Sequence, residues 1–188
     1  MITRILLLSL ALFISGCSDV ITATQEGPIQ EDTKNRTTGS FIDDELIEVK
    51  ALVNINKAST PLANAHVSVT SFNGVVLLTG QVPDENTRML AETIVREIRK
   101  VRTIHNELSI SGPTSHIVRT NDTWITAKIK THMISDKDFN STQVKVVTEN
   151  GVVYLLGLVT RTNADKAVAI VKKSHGVQKI IKMFEYIS

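Results

Sequence analysis

One turn-and-strand segment is written twice in this chain: "NGVVLLTG" over residues 73–80 and "NGVVYLLG" over residues 150–157. The likeness spreads outwards in one register, so that "HVSVTSFNGVVLLTGQV" aligns without a gap to "QVKVVTENGVVYLLGLV". Upstream, "DDELIEVKAL" from Asp43 parallels "NDTWITAKIK" from Asn121. Downstream, "AETIVREIRKVRTIHNEL" from Ala91 parallels "AVAIVKKSHGVQKIIKMF" from Ala167. Self-similarity over this span restricts the fold to two copies of one small module. Each copy, at roughly seventy residues, is close to the lower limit for a self-sufficient core.

The residue pattern within a copy predicts its elements. Each copy opens on an Asp, Asp44 or Asp122, of the type that caps a helix. In the second copy Ile125, Ile129 and Met133 recur every four residues as the core stripe of that helix. "TQVKVV" alternates as a strand, "TENG" makes a tight turn, and "VVYLLGLV" is the return strand. Gly151 in this turn, like Gly74 in the first copy, supplies backbone angles other residues avoid. Ala164, Ala167, Val168 and Val171 mark a second helix, and Ile180, Phe184 and Tyr186 a last strand. The expected fold is α+β: in each copy an αββαβ layer, with two helices on one face of a three-stranded mixed sheet. Gly80 and Gly157 interrupt strands and read as structural, each leaving room for a helix to pack against the missing side chain.

The segments outside the modules have a different composition. Residues 1–16 carry Arg4, an apolar run from Ile5 to Ile14, and small residues before Cys17, the pattern of a secretory signal rather than a membrane span. Ile14-Ser15-Gly16-Cys17 resembles a bacterial lipobox. The resemblance implies cleavage before Cys17, which receives diacylglycerol on sulfur and an N-acyl chain such as palmitate. Cys17 is the single cysteine, so no internal disulfide can form. Ser18 in place of Asp implies sorting to the outer membrane. Residues 17–40 are polar and Thr-rich and read as a flexible tether. The first module then spans 41–111, a linker 112–116, and the second module 117–188.

Taken together, the early Asp, "NGVVxLxGxV", a helix with small residues, and "GV" leading into a strand resemble the BON domain. The match is strongest over "NDTWITAKIK" and "TENGVVYLLGLVT". The first copy fits more loosely, with Lys100-Val101 in place of "GV" and no Trp. Two such domains behind a lipobox resemble outer-membrane lipoproteins that face the periplasm, bind anionic phospholipid (phosphatidylglycerol, cardiolipin) and support envelope integrity. In such lipoproteins the first helix of the second module contacts lipid. That resemblance assigns Trp124, Lys128, Lys130, His132 and Met133 as phospholipid-binding residues.

The residues themselves leave two readings of this surface. The first module carries seven Lys/Arg against nine Asp/Glu, a net of −2; the second carries eleven against six, a net of +5. A basic module can be drawn to an anionic bilayer or can simply be solvated. Trp124 falls off the stripe of Ile125, Ile129 and Met133, with Lys128 one turn away. It is either an interfacial side chain or a core aromatic at the edge of the sheet. In the first module's matching helix, Ile47, Ala51 and Ile55 form the core stripe, while Leu46, Val49, Leu52 and Val53 make the other side apolar. A helix apolar all round is expected to be buried on both sides, against the second module or against a second copy of the chain.

Enzyme chemistry is not encoded in a recognisable motif. His66, His105, His116, His132 and His175 are scattered without metal-ligand spacing, and no Gly-rich phosphate loop or nucleophile elbow occurs. The expectation is a binding protein without cofactor or metal, and without nucleic acid as partner. A second functional reading turns the same surface towards outer-membrane proteins, their assembly machinery, or peptidoglycan.

Overall fold

The computed structural model describes residues 36–187; the signal segment, Cys17 and most of the tether lie outside the described residues. The first module comprises α1 (Thr38–Ala58), a short α2 (Thr60–Asn64), β1 (His66–Phe72), β2 (Val75–Val82), α3 (Glu85–Arg96) and β3 (Thr103–Ile110). The second comprises α4 (His116–Ser135), a 3-10 turn (Ser141–Gln143), β4 (Val144–Glu149), β5 (Val152–Val159), α5 (Arg161–Lys172) and β6 (Lys179–Tyr186). Each module holds one mixed sheet, ordered β1-β2-β3 or β4-β5-β6, whose hairpin is antiparallel and whose last strand pairs parallel to the middle one. Parallel neighbours need a crossover, which α3 and α5 provide.

The helices start earlier than the repeat pattern implies. Thr37 and Ser115 are the N-caps, their side chains accepting from the N–H of Ser40 and Val118. Asp44 and Asp122 therefore do not cap: they lie within α1 and α4, buried, and reach sideways to the hairpin turn. Asp44 accepts from the N–H of Asn73 (2.7 Å) and Gly74 (2.9 Å) and from Ser71 Oγ (2.6 Å). Asp122 accepts from the N–H of Asn150 (2.8 Å) and Gly151 (2.9 Å). In both turns the Asn-Gly pair has positive φ at each residue, 53° and 75° in the first and 49° and 75° in the second. This is the primed turn whose twist matches that of its strands. The turn aims its N–H groups at the helix, and the carboxylate takes up donors that would otherwise be buried without partners.

The glycines inside the strands are structural, but strand backbone and not a helix occupies the space beside them. A Cβ on Gly80, whose φ is +122°, would stand 1.9 Å from the carbonyl oxygen of His66 on β1. One on Gly157 would stand 2.5 Å from the carbonyl oxygen of Gln143, just before β4. The hairpin strands close on each other at these points more tightly than a side chain permits.

The middle strand decides how the modules stack. Val76, Leu78 and Val82 of β2 face the helices and pack on Ile47, Ala51, Ile55, Ala91 and Val95. Val153, Leu155 and Val159 of β5 do the same with Ile125, Ile129, Met133, Ala167 and Val171. The alternate residues point the other way: Val75 and Leu77, with Phe72, form a third core with Tyr154, Leu156 and Met183. The two sheets are thus packed face to face, with the helices outside. Strands buried on both faces read as unbroken apolar runs, the property that made the repeated segment so conspicuous. Lys145 pairs with Glu48 (2.6 Å), Arg102 with Glu185 (2.5 Å), and Gln81 donates to Glu149 (2.7 Å) across the rim of this interface. Burial, with Glu107 and Glu149 nearby, pushes the Tyr154 hydroxyl up to about 12.

This stacking overturns the expectation that the outer face of α1 packs on the second module. The sheets make that contact. Leu46, Val49 and Val53 remain exposed on the far side of α1.

Candidate functional site

Helix α4 lies over its sheet with Asp122, Ile125, Ile129 and Met133 buried and the rest of its circumference in solvent. Trp124 is 64% exposed, so it is neither a core aromatic nor an edge residue of the core. Lys128 and His132 follow it at successive i+4 positions along one exposed flank. Lys130 is exposed on the opposite flank, where it lines an open groove of about 530 Å³ with Arg119, Thr123, Thr126 and Ala127 of α4 and Val146–Glu149 of β4. Arg119 donates twice to the carbonyl of Thr114, at 3.2 and 2.8 Å, which holds its guanidinium at the groove's end. The crest between the flanks carries Thr120, Ala127 and Thr131, small or hydroxylic residues that do not obstruct the approach of a flat surface.

Charge on α4 is one-sided. Asp122 is its single acidic residue, and that carboxylate is buried and engaged by the turn. Lys128 and Lys130 make no ion pair among the described residues. The charge exposed on the helix is therefore purely cationic, set among hydroxylic and apolar side chains with one large amphipathic ring, Trp124. An indole beside lysine stems, with no exposed carboxylate on the helix itself, matches the composition of an interfacial helix.

Met133 does not belong to this surface. It is 2% exposed, packed with Ile129 and Phe139 under the helix, and cannot reach a ligand on the outer face. The residue beside it, Ile134, is 73% exposed at the C-terminal end of the crest. Ile117, two turns before Trp124, is exposed at the other end. The i, i+7 spacing of Ile117 and Trp124 is the sequence signal for that residue; it is hidden because Ile117 precedes Asp122, which reads as the cap where the helix begins. Arg119 was hidden for the same reason.

The matching helix of the first module has no such character. In the repeat alignment Leu46 stands where Trp124 is and Leu52 where Lys130 is, and α1 carries Asp43, Glu45 and Glu48 besides Asp44. Among the described residues no cluster of His, Cys, Asp and Glu has the geometry of a metal site, and no helix is long and apolar enough to cross a membrane.

Comparison with known proteins places these features in a family. The BON domain model matches residues 43–112 and again 121–188. The chain is 36% identical over 182 residues, 97% of its length and 94% of the relative's, to the outer membrane lipoprotein DolP of Haemophilus influenzae. It is 32% identical to a 21 kDa hemolysin of Actinobacillus pleuropneumoniae, over 81% of this chain and 78% of that one. The osmotically-inducible protein Y of Escherichia coli is 28% identical over 79% of this chain and 75% of its own.

Proposed function

Because the chain belongs to the BON-domain family, with two copies in tandem, we propose that it is a non-enzymatic outer-membrane lipoprotein that binds anionic phospholipid through α4. Cys17 carries the lipid anchor, the residues between it and Arg36 the tether, and the modules face the periplasm, where they support the envelope. The similarity to a named outer membrane lipoprotein over nearly the full chain supports the location. The single observation that carries the lipid reading is an exposed Trp124 on a helix whose only carboxylate is buried. Trp124 and Ile134 enter the headgroup region of phosphatidylglycerol or cardiolipin membranes. Lys128, Lys130 and His132 meet the phosphates, each lysine contributing about 1 kcal/mol near an anionic surface. Met133 serves the core instead.

The test is co-sedimentation of the mature chain, carrying Cys17→Ala and purified without lipid, with protein-free vesicles. Phosphatidylglycerol vesicles are expected to retain it and phosphatidylcholine vesicles to leave it in solution. Trp124→Glu should lower retention most, and Lys128→Glu or Lys130→Glu less. Equal retention of Trp124→Glu and parent would move the surface elsewhere and favour the reading in which α4 faces protein.

A further inference from the structure

The outer face of α1 presents Ile42, Leu46, Val49 and Val53, exposed by 54%, 48%, 58% and 45%. These side chains stand directly opposite Ile47, Ala51 and Ile55, so they point away from the body of the protein. Their spacing of four, three and four residues is the 3.5-residue repeat of a coiled-coil seam. The stripe is apolar yet covered by nothing among the described residues, since the second module stacks on the opposite side of the sheet.

The flanks indicate the occupant. Taking Leu46 and Val53 as the first and Ile42 and Val49 as the fourth positions of a heptad, Glu45 and Lys50 take the two positions beside the seam. In a parallel pair of helices these face each other across the interface. Neither makes an ion pair among the described residues, whereas Asp43 and Glu48 of the same helix are held by Lys100 and Lys145. An antiparallel pair would set Glu45 against the apolar Leu52 and Lys50 against Asp43, already taken. An anionic bilayer is a poor occupant, because the first module has a net charge of −2 and the stripe is bordered by Asp43 and Glu45.

We infer that α1 is a self-association surface, through which two copies of this chain pair in parallel with Glu45 of each facing Lys50 of the other. Four residues per helix make a short seam, so the pairing is weak in dilute solution and is read best where the full chain is concentrated. The inference does not rest on the lipid-facing role of α4, which occupies a different helix of the other module.

Disulfide trapping in the full chain at its native location tests it. Ile42→Cys, Val49→Cys and Val53→Cys should each form a self-linked dimer above the background of Glu97→Cys, an exposed position on the same module. On the Val49→Cys background, Glu45→Lys alone or Lys50→Glu alone should reduce the dimer by about tenfold, as two attractive pairs become repulsive. Co-expressed, these two single variants should link to each other at the parental level, since each supplies the charge the other lacks. Linkage of Ile42→Cys with Val53→Cys but of neither with itself would overturn the parallel pairing. Background-level linkage at all three positions, or insensitivity to both charge reversals, would overturn self-association. Val49→Glu weakening retention on phosphatidylglycerol vesicles would assign the stripe to lipid instead.

Discussion

Replacing Asp122 with Ala should unlock the β4–β5 hairpin and leave the start of α4 intact. The carboxylate accepts the N–H groups of Asn150 and Gly151 at 2.8 and 2.9 Å. Gly151 is buried and Asn150 partly so, and a buried donor left without its acceptor costs about 1–3 kcal/mol. Allowing water to reach Asn150, the loss comes to roughly 2–4 kcal/mol, against about 1 kcal/mol for an ordinary N-cap. In a module of this size that lowers the melting temperature by roughly 10–30 °C. Asp44→Ala should cost about 1 kcal/mol more, because Ser71 Oγ loses its acceptor as well. Arg36, which pairs with Asp44 at 2.7 Å and lies over the Phe41 and Phe72 rings with its side chain only 13% exposed, loses its counter-charge too and adds to that difference. Urea unfolding gives the energy, and amide hydrogen exchange locates it: Asn150 and Gly151 should lose protection, and the first turn of α4 should not. A variant within about 0.5 kcal/mol of the parent, or one whose lost protection is confined to residues 118–120, would refute the role assigned to the carboxylate.

Three further outcomes follow from the packing. Gly157→Val should destabilise the second module by at least about 1–3 kcal/mol, because its Cβ meets the Gln143 carbonyl at 2.5 Å; wild-type stability with lost lipid binding would contradict a structural glycine. Met133→Ala should cost about 2–5 kcal/mol of stability, while Ile134→Ala should leave stability unchanged and weaken vesicle retention, so chemical denaturation and co-sedimentation separate the two neighbours. Tyr154 is held neutral in the fold, with its hydroxyl raised to about 12 against 10 in the unfolded chain. Its contribution is complete below pH 10 and is lost as the pH rises from 10 through about 12. Tyr154→Phe should therefore lose less stability over that window, and an identical alkaline loss in both proteins would contradict the assignment.

Most of the fold was legible because the repeat forces each element to be read twice. The stripe of Ile125, Ile129 and Met133, the Asn-Gly turns and the mixed three-stranded sheet all follow from local pattern, which short-range sterics control. What was not legible depends on contacts between elements. Asp44 and Asp122 look like caps, because Asp before an apolar run usually is one; only the hairpin folding back beneath the helix gives each carboxylate its buried donors. The apolar far side of α1 implied a partner, but the sheets' second faces, Leu77 against Leu156 and Tyr154, took the inter-module contact. The departure at Lys100 is also explained: it adopts φ 74° where Gly176 of the second copy has 92°, so the backbone keeps the family's turn with a residue ill suited to it. On α4, the exposure of Trp124 was an open choice in sequence and Met133 was misplaced. Position on a helix shows which residues share a face, but the depth to which a neighbouring residue such as Phe139 covers that face is set by the whole module.

Trp124 is the chain's single tryptophan, so its emission reports directly on the surface at the centre of this account. The mature chain with Cys17→Ala, titrated with phosphatidylglycerol vesicles, should shift its emission to the blue as the indole leaves water for the headgroup region. The shift should be absent with phosphatidylcholine and should recede as salt screens the lysines. Retention on the anionic vesicles with unchanged emission, or no retention at any lipid concentration, would contradict it.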